Sequence, residues 1–235
     1  MSFNGPRKLI IFGLGEIAEL AWYYFTRDSD FEVVAFCADS EFIKEDHFQG
    51  LPVATFEEVA ARMPPTIHSM FIALGYAKLN AVRADKYRAA KERGYLLPTY
   101  ISSRSVTWDG LAVGDNCFIL ENQTIQPFCT IGNNVTLWSG NHIGHHSTIA
   151  DHAFLASHIV ISGNCRIGER CFIGVNATFR DGCTLGEDCF VGMAATVTAA
   201  NISPGSVIVT DGDDVIAATD RRARVLKRKY FGLEG

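Results

Sequence analysis

The stretch ISGNCRIGERCFIGVNATFRDGCTLGEDCFVG, residues 161–192, has an apolar residue at every sixth position. The same phase continues without interruption over fifteen hexads. Its members are Val113, Ile119, Ile125, Ile131, Leu137, Ile143, Ile149, Leu155, Ile161, Ile167, Ile173, Phe179, Leu185, Val191 and Val197. Neither the helical period nor the strand period of two gives this spacing. A hexapeptide repeat is typical of a parallel β-helix, so we predict about five stacked triangular coils of about 18 residues each.

The fourth residue after each of these apolar positions is predicted to point into a cramped interior corner. These corner residues are Cys117, Gln123, Cys129, Val135, Asn141, Ser147, Ala153, Ile159, Cys165, Cys171, Ala177, Cys183, Cys189, Ala195 and Asn201. Six of the seven cysteines share this one phase, and Cys37 lies apart from them. A disulfide framework or a zinc site would not place cysteines by hexad phase, so we expect buried space-fillers in a reducing compartment.

The segment that precedes the repeat has the pattern of a nucleotide-binding α/β unit. RKLIIFGLGEIAEL predicts a buried strand, a turn and a helix, and Gly13, Gly15 and Ala18 match G-x-G-x-x-G/A. The second predicted strand, FEVVAFCADS, leads to Asp39. In such a βαβ unit the helix amides face a phosphate and the acidic residue reaches a ribose or a base. A tight turn without a ligand is the alternative interpretation.

These patterns divide the chain into an α/β Rossmann-like domain, a left-handed parallel β-helix and a basic tail. The predicted bounds are 1–100, 101–210 and 211–235, and the tail has helical potential. Only about 95 residues precede the repeat, which is half of a dinucleotide fold, so a mononucleotide-sized ligand fits the first domain better.

The net charge of −5 argues against a nucleic-acid-binding surface. The chain shows no charged-then-apolar leader pattern and no apolar run of the roughly 20 residues that span a bilayer. We therefore predict a cytoplasmic protein that does not bind a membrane.

Five of the seven histidines lie within LWSGNHIGHHSTIADHAFLASHIV, residues 137–160. His146, His152 and His158 share one hexad phase, so they point from three different sides of the coil and cannot form one metal site within a subunit. We expect His142, His152 and His158 to be solvated surface side chains. His145 lies near a predicted corner, where a neutral imidazole can accept a proton from a nucleophile.

Together these elements resemble the NeuD/PglD-like bacterial sugar acetyltransferases, which are hexapeptide-repeat acyltransferases. The resemblance rests on FGLGEIAEL, FCADS, FIALG, GHHSTIADHAF and ISGNCRIGERCFIGVNAT, and it extends to about residue 210. It implies a homotrimer that uses acetyl-CoA as co-substrate, with no tightly bound cofactor and no metal. The implied acceptor is a nucleotide-linked amino sugar.

The resemblance also assigns roles to residues. His145 matches the catalytic base, and His146 stands where the family has an acidic partner. Gly163 matches a glycine whose backbone amide binds the thioester oxygen. The positions that match nucleotide-binding residues are Gly13, Gly15, Glu16, Asp39, Ser40 and Gly75. The positions assigned to acyl-CoA are Trp138, Gly163, Asn164, Val175 and Met193.

The C-terminal tail departs most from the family pattern. Its cations are Arg221, Arg222, Arg224, Lys227, Arg228 and Lys229. We expect a solvated helix face, with contact to a CoA phosphate as the alternative.

The predicted activity is acetyl-CoA-dependent N-acetylation of a nucleotide-linked amino-deoxy sugar. O-acetylation of a sugar hydroxyl is the nearest alternative. A zinc enzyme similar to the γ-class carbonic anhydrases and a NAD-binding oxidoreductase or sensor are the more distant ones.

Overall fold

The computed structural model describes residues 3–209 and 215–232, which form two compact units. The first unit comprises 3–75 and 83–100, and the second comprises 76–82 and the described residues from 101 onward. The second unit thus includes a short segment from the α/β region, which no sequence pattern indicates. Residue 210, the last of the predicted β-helix, lies outside the described residues, as do 211–214 and 233–235 of the predicted tail.

The first unit contains a mostly parallel five-stranded sheet. Its strands are β1 (Lys8–Phe12), β2 (Glu32–Ala38), β3 (His47–Phe48), β4 (Leu51–Thr55) and β5 (His68–Ile72). The helices of this region are α1 (Glu16–Arg27), α2 (Val59–Arg62) and α3 (Ala81–Glu92), with a short 3-10 helix at Ser40–Phe42. The sheet order is β3-β4-β2-β1-β5, in which only β3 pairs antiparallel. This order confirms the predicted Rossmann-like βαβ unit.

The interior strand β1 pairs with β2 on one side and β5 on the other, and its residues Leu9, Ile10 and Ile11 are fully buried. This burial is expected for a parallel strand that is covered on both faces. The chain leaves this strand through Gly13, whose φ is +128°. A Cβ at Gly13 would lie only 2.7 Å from the carbonyl oxygen of Ala73, so a side chain is excluded there. This turn brings the carboxyl end of β1 and the start of α1 to one edge of the sheet.

The second unit is a left-handed parallel β-helix with three sheet faces, as the hexad repeat predicts. The eight-stranded face consists of β6 (Tyr100–Ile101), β8 (Phe118–Ile119), β11 (Thr136–Leu137), β14 (Phe154–Leu155), β17 (Phe172–Ile173), β20 (Phe190–Val191), β23 (Val207–Ile208) and β24 (Val215–Ile216). The five-stranded face consists of β9 (Thr124–Ile125), β12 (His142–Ile143), β15 (Val160–Ile161), β18 (Thr178–Phe179) and β21 (Thr196–Val197). The six-stranded face consists of β7 (Ala112–Val113), β10 (Thr130–Ile131), β13 (Thr148–Ile149), β16 (Arg166–Ile167), β19 (Thr184–Leu185) and β22 (Asn201–Ile202).

Each strand pairs with the strand three hexads further along, so Ile143 lies beside Ile161. The last coil is one residue shorter than the others, as the pairing of Leu185 with Ile202 shows. The predicted interior corner at Asn201 is therefore wrong. The shortened coil moves Asn201 onto the outside of β22, where it is exposed.

The other fourteen predicted corner residues are all buried, and they fill the β-helix interior together with the hexad aliphatics. All seven cysteines are free and buried, which confirms their structural role. Burial raises the pKa of the Cys183 thiol to about 11, so it stays protonated near neutral pH.

The residue before each corner adopts a left-handed backbone conformation. Non-glycine residues in this phase are Asn116, Asn122, Phe128, Asn134, His146, His152, His158, Asn164, Arg170, Asn176, Asp188 and Ala194. Asn, Asp and His tolerate positive φ better than most side chains, which explains why three histidines share this phase. The prediction of a solvated His152 is wrong: it is 5% exposed, with Nδ1 2.9 Å from Asn134 Nδ2.

Aromatic side chains cover the eight-stranded face within the second unit. Phe154, Phe172 and Phe190 stack at 5.6 Å intervals, and Tyr76 lies 4.7 Å from the Phe172 ring. The helix α4 (Arg221–Phe231) also packs here, with Phe231 5.1 Å from the Phe190 ring.

The remaining surface of α4 is strongly basic. Asp220 caps its first turn by accepting from Arg222 N at 2.8 Å. Arg221, Arg224 and Arg228 are exposed along one side. Among the described residues, no helix is long and apolar enough to cross a membrane.

Candidate active site

His145 lies in an exposed turn between β12 and β13, on the edge where the five-stranded and six-stranded faces meet. Its backbone is fixed on two sides. The N–H donates to Gln126 Oε1 at 2.8 Å, and the carbonyl oxygen accepts from Asn164 N at 2.8 Å. The β-helix thus holds His145 in an exposed turn whose backbone is fixed by two hydrogen bonds.

The His145 ring lies against Gly163, which occupies the same edge one coil further on. A Cβ at Gly163 would lie 2.6 Å from His145 Cε1 and 2.8 Å from Nε2. Gly163 does not have a positive φ, so its backbone conformation does not explain the glycine. The absence of a side chain is what leaves space for the imidazole.

His146 lies beside the ring of His145 in place of the expected carboxylate. The two Nδ1 atoms are 3.1 Å apart, so one nitrogen donates and the other accepts. If His145 Nδ1–H donates, its Nε2, which lies near Gly163, is the free acceptor. The His146 ring packs 4.7 Å from that of Phe128, which holds it in place.

The five positions assigned to acyl-CoA lie on two different edges of the five-stranded face. Gly163 and Asn164 follow β15 on the edge that carries His145. Trp138, Val175 and Met193 follow strands of the eight-stranded face, on the opposite edge. Within one protomer the structure therefore separates them into two groups, and Met193 is 66% exposed.

The nucleotide-binding candidates are all brought together at the carboxyl edge of the first unit's sheet. They are Gly13, Gly15, Glu16, Asp39, Ser40 and Gly75. A Cβ at Gly15 would meet nothing within 4 Å, so the start of α1 is open. The Asp39 carboxylate accepts from Lys86 Nζ at 2.6 Å, and Lys86 also lies 5.5 Å from the Phe12 ring. This edge offers backbone donors beside a neutralised carboxylate.

Sequence reasoning missed three residues near His145. Gln126 and Phe128 lie in the turn one coil before it, and Asp181 lies in the turn after Gly163. Stepping by one coil from His145 gives Gly163 and then Asp181, so the repeat itself contained the signal. Within the described ranges, no three His, Cys, Asp or Glu side chains are grouped so as to hold a metal ion.

Comparison with known proteins supports this fold. Residues 164–199 match the model of the bacterial transferase hexapeptide. The solved structure of a histidine variant of perosamine N-acetyltransferase from Caulobacter crescentus, with CoA and GDP-perosamine, is 20% identical. It gives a TM-score of 0.80 over 89% of this chain and 97% of that one.

Two further solved structures share the fold. The acetyltransferase domain of PglB from Neisseria gonorrhoeae FA1090 is 20% identical, with a TM-score of 0.76 over 86% of this chain and 95% of that domain. WeeI from Acinetobacter baumannii AYE is 18% identical, with a TM-score of 0.70 over 89% and 99%. No curated protein sequence matches the chain significantly. The chain therefore contains the bacterial transferase hexapeptide repeat, and it resembles these solved structures in fold.

Proposed function

We propose that this chain is an acetyl-CoA-dependent acetyltransferase that acts on the amino group of a nucleotide-linked amino-deoxy sugar. The observation that carries the proposal is the exposed, backbone-fixed His145 ring against Gly163 on an edge of the hexapeptide β-helix. The solved relatives support it, since perosamine N-acetyltransferase was solved with CoA and GDP-perosamine and the PglB domain with acetyl coenzyme A.

In this proposal His145 is the general base. Its Nδ1–H donates to His146 Nδ1, which orients the ring and leaves Nε2 free to take a proton from the attacking amine. The backbone amide of Gly163 stabilises the oxyanion that forms when the amine adds to the thioester carbon. Loss of the sulfur leaving group then gives the acetamide and free CoA.

A homotrimer is part of the proposal. The acyl-CoA candidates Gly163 and Met193 lie on opposite edges of one face, so a single extended ligand can touch both groups where two subunits meet. The five-stranded face is uncovered within the described chain, because its outward residues Thr124, Val160 and Thr178 are exposed. A second copy against it would wall the site.

The first unit is proposed to bind the nucleotide. The open start of α1 provides amides for the diphosphate, and Asp39, held by Lys86, faces the ribose or base. Free, buried cysteines are compatible with a reducing cytoplasm, where we place the reaction.

The decisive experiment combines purified protein, acetyl-CoA and a panel of GDP-, UDP- and dTDP-linked amino sugars, with thiol release and product mass as readouts. We expect an acetamide product from one nucleotide series. His145→Asn should lower kcat roughly 10²–10⁴-fold and change substrate binding little, because its role is proton transfer.

His47→Asn is the control, because His47 is also an exposed histidine but lies on β3, at the outer edge of the first unit's sheet. It should stay within about 3-fold of wild type, well below the effect of losing a general base. Light scattering on each variant should report a trimer. If assembled His145→Asn keeps more than about a third of wild-type turnover, His145 is not the base.

A further inference from the structure

Asp181 lies on the same edge as His145 and Gly163, in the turn between β18 and β19. Its Oδ1 would be 2.9 Å from a Cβ at Gly163, and His145 Nε2 would be 2.8 Å from that same point. The carboxylate and the imidazole thus border one small space that exists because residue 163 is a glycine.

The Asp181 carboxylate has unused acceptor capacity. Its one hydrogen bond within the described chain comes from Asn164 Nδ2 at 3.3 Å, which is long. The neighbouring Arg180 forms no ion pair with it, because its guanidinium donates to the backbone carbonyl oxygens of Asp181 and Thr198 instead. A carboxylate offers about four acceptor sites, so most of them remain available to a ligand.

We propose that Asp181 recognises the acceptor's amino group in its protonated form and so makes the enzyme selective for amines over hydroxyls. This inference rests on the proposed function. An ammonium group carries a positive charge and several N–H donors, and its hydrogen bonds to a carboxylate are about twice as strong as neutral ones. A sugar hydroxyl in the same place is neutral and gains much less from Asp181.

The acceptor binds as an ammonium and loses one proton to solvent before it reacts. The amine lone pair then forms the C–N bond with the thioester carbon, and His145 Nε2 takes the second proton. The C–S bond breaks, and the leaving sulfur takes that proton from the imidazolium. The products are the acetamide, the free thiol and one proton in solution. Asp181 holds the acceptor before this sequence and transfers no proton.

The test is Asp181→Asn, which keeps the shape and the hydrogen bond from Asn164 but removes the charge. Asp181 is exposed, so the variant should fold. We expect KM for the amino sugar to rise roughly 10- to 100-fold, the worth of a hydrogen bond to a charged group, with a much smaller change in kcat. His145→Asn should show the opposite split. Asp181→Glu should restore part of the affinity.

The same nucleotide sugar with a hydroxyl in place of the amine provides the second readout, as an alternative substrate or as a competitive inhibitor. Asp181→Asn should change the KM or the inhibition constant of this hydroxyl ligand by less than about 3-fold, because a neutral group gains little from the carboxylate charge. Glu187→Gln is the control, since Glu187 occupies the same turn position on another edge and is also exposed. It should change neither constant.

Equal weakening of amine and hydroxyl ligands, or no change for either, would overturn the role of Asp181 and leave the acetyltransferase proposal intact. A wild-type protein that acetylates none of the panel contradicts the proposed function, and this role falls with it.

Discussion

Replacing Gly163 with Ala tests whether the space beside His145 matters for catalysis. The added methyl would lie 2.6 Å from His145 Cε1, 2.8 Å from His145 Nε2 and 2.9 Å from Asp181 Oδ1. Ordinary carbon contacts are about 3.5–4.0 Å, so the imidazole has to move by about 1 Å. Both neighbours are exposed side chains that can shift, so the coil should remain folded.

A displacement of about 1 Å of a catalytic group can cost about 10²-fold in rate. We therefore expect Gly163→Ala to lower kcat by about that factor, with the oligomeric state of wild type and a melting temperature within a few degrees of wild type. Gly144→Ala is the contrasting variant. Its added methyl would lie 2.5 Å from the backbone carbon of Ser162, which cannot move freely, so this variant should lose stability.

A double-mutant cycle shows whether the loss passes through the imidazole. In the His145→Asn background the ring is absent, so adding Gly163→Ala should cost little more. The four rates are the kcat values of wild type, the two single variants and the double variant, measured with the amino sugar that wild type acetylates. A full further 10²-fold loss in that background would refute the reasoning and assign the effect to the proposed role of the Gly163 amide as donor to the thioester oxygen. Wild-type turnover in the single variant Gly163→Ala would also refute the reasoning.

Two other perturbations test the fold around the site. Iodoacetamide should leave native activity intact and label the seven cysteines only after unfolding, because they are buried and the pKa of Cys183 is raised to about 11. Mass spectrometry counts the labels. Rapid inactivation of the native protein that acyl-CoA prevents would contradict the expected protection of the cysteines. Phe231→Ala should lower the free energy of unfolding by about 3 kcal/mol in urea titrations, since Phe231 is buried against Phe190. The exposed Val225→Ala should change it by less than about 0.5 kcal/mol.

The hexad spacing was sufficient to predict the β-helix, because each position of the repeat has one physical environment. The apolar position and the corner both point inward, so Cys165 and Ile167 could be assigned to the core from their phase alone. Phase could not predict where the repeat ends. The residue lost before β22 breaks the count at Asn201, and only the pairing of Leu185 with Ile202 reveals it.

The surroundings of His145 were only partly predictable. Its position near a corner follows from the hexad count, but the orientation of a ring depends on neighbours from other coils. His152 was misplaced for the same reason, because its burial depends on Asn134 one coil earlier. Asp181 was overlooked because it resembles any polar turn residue until its closeness to Gly163 is known.

The shortened last coil bears on whether two β-helices can stack end to end. A stack of parallel coils ends in unpaired backbone groups, and such an edge can accept a strand from another molecule. Here β24 runs antiparallel to β23 and pairs with it through Val207 and Ile216, so the edge of the last parallel strand on that face is covered. The change of strand direction together with the missing residue gives an incoming coil no matching register. We infer that this terminus acts as a cap against end-to-end growth into fibres.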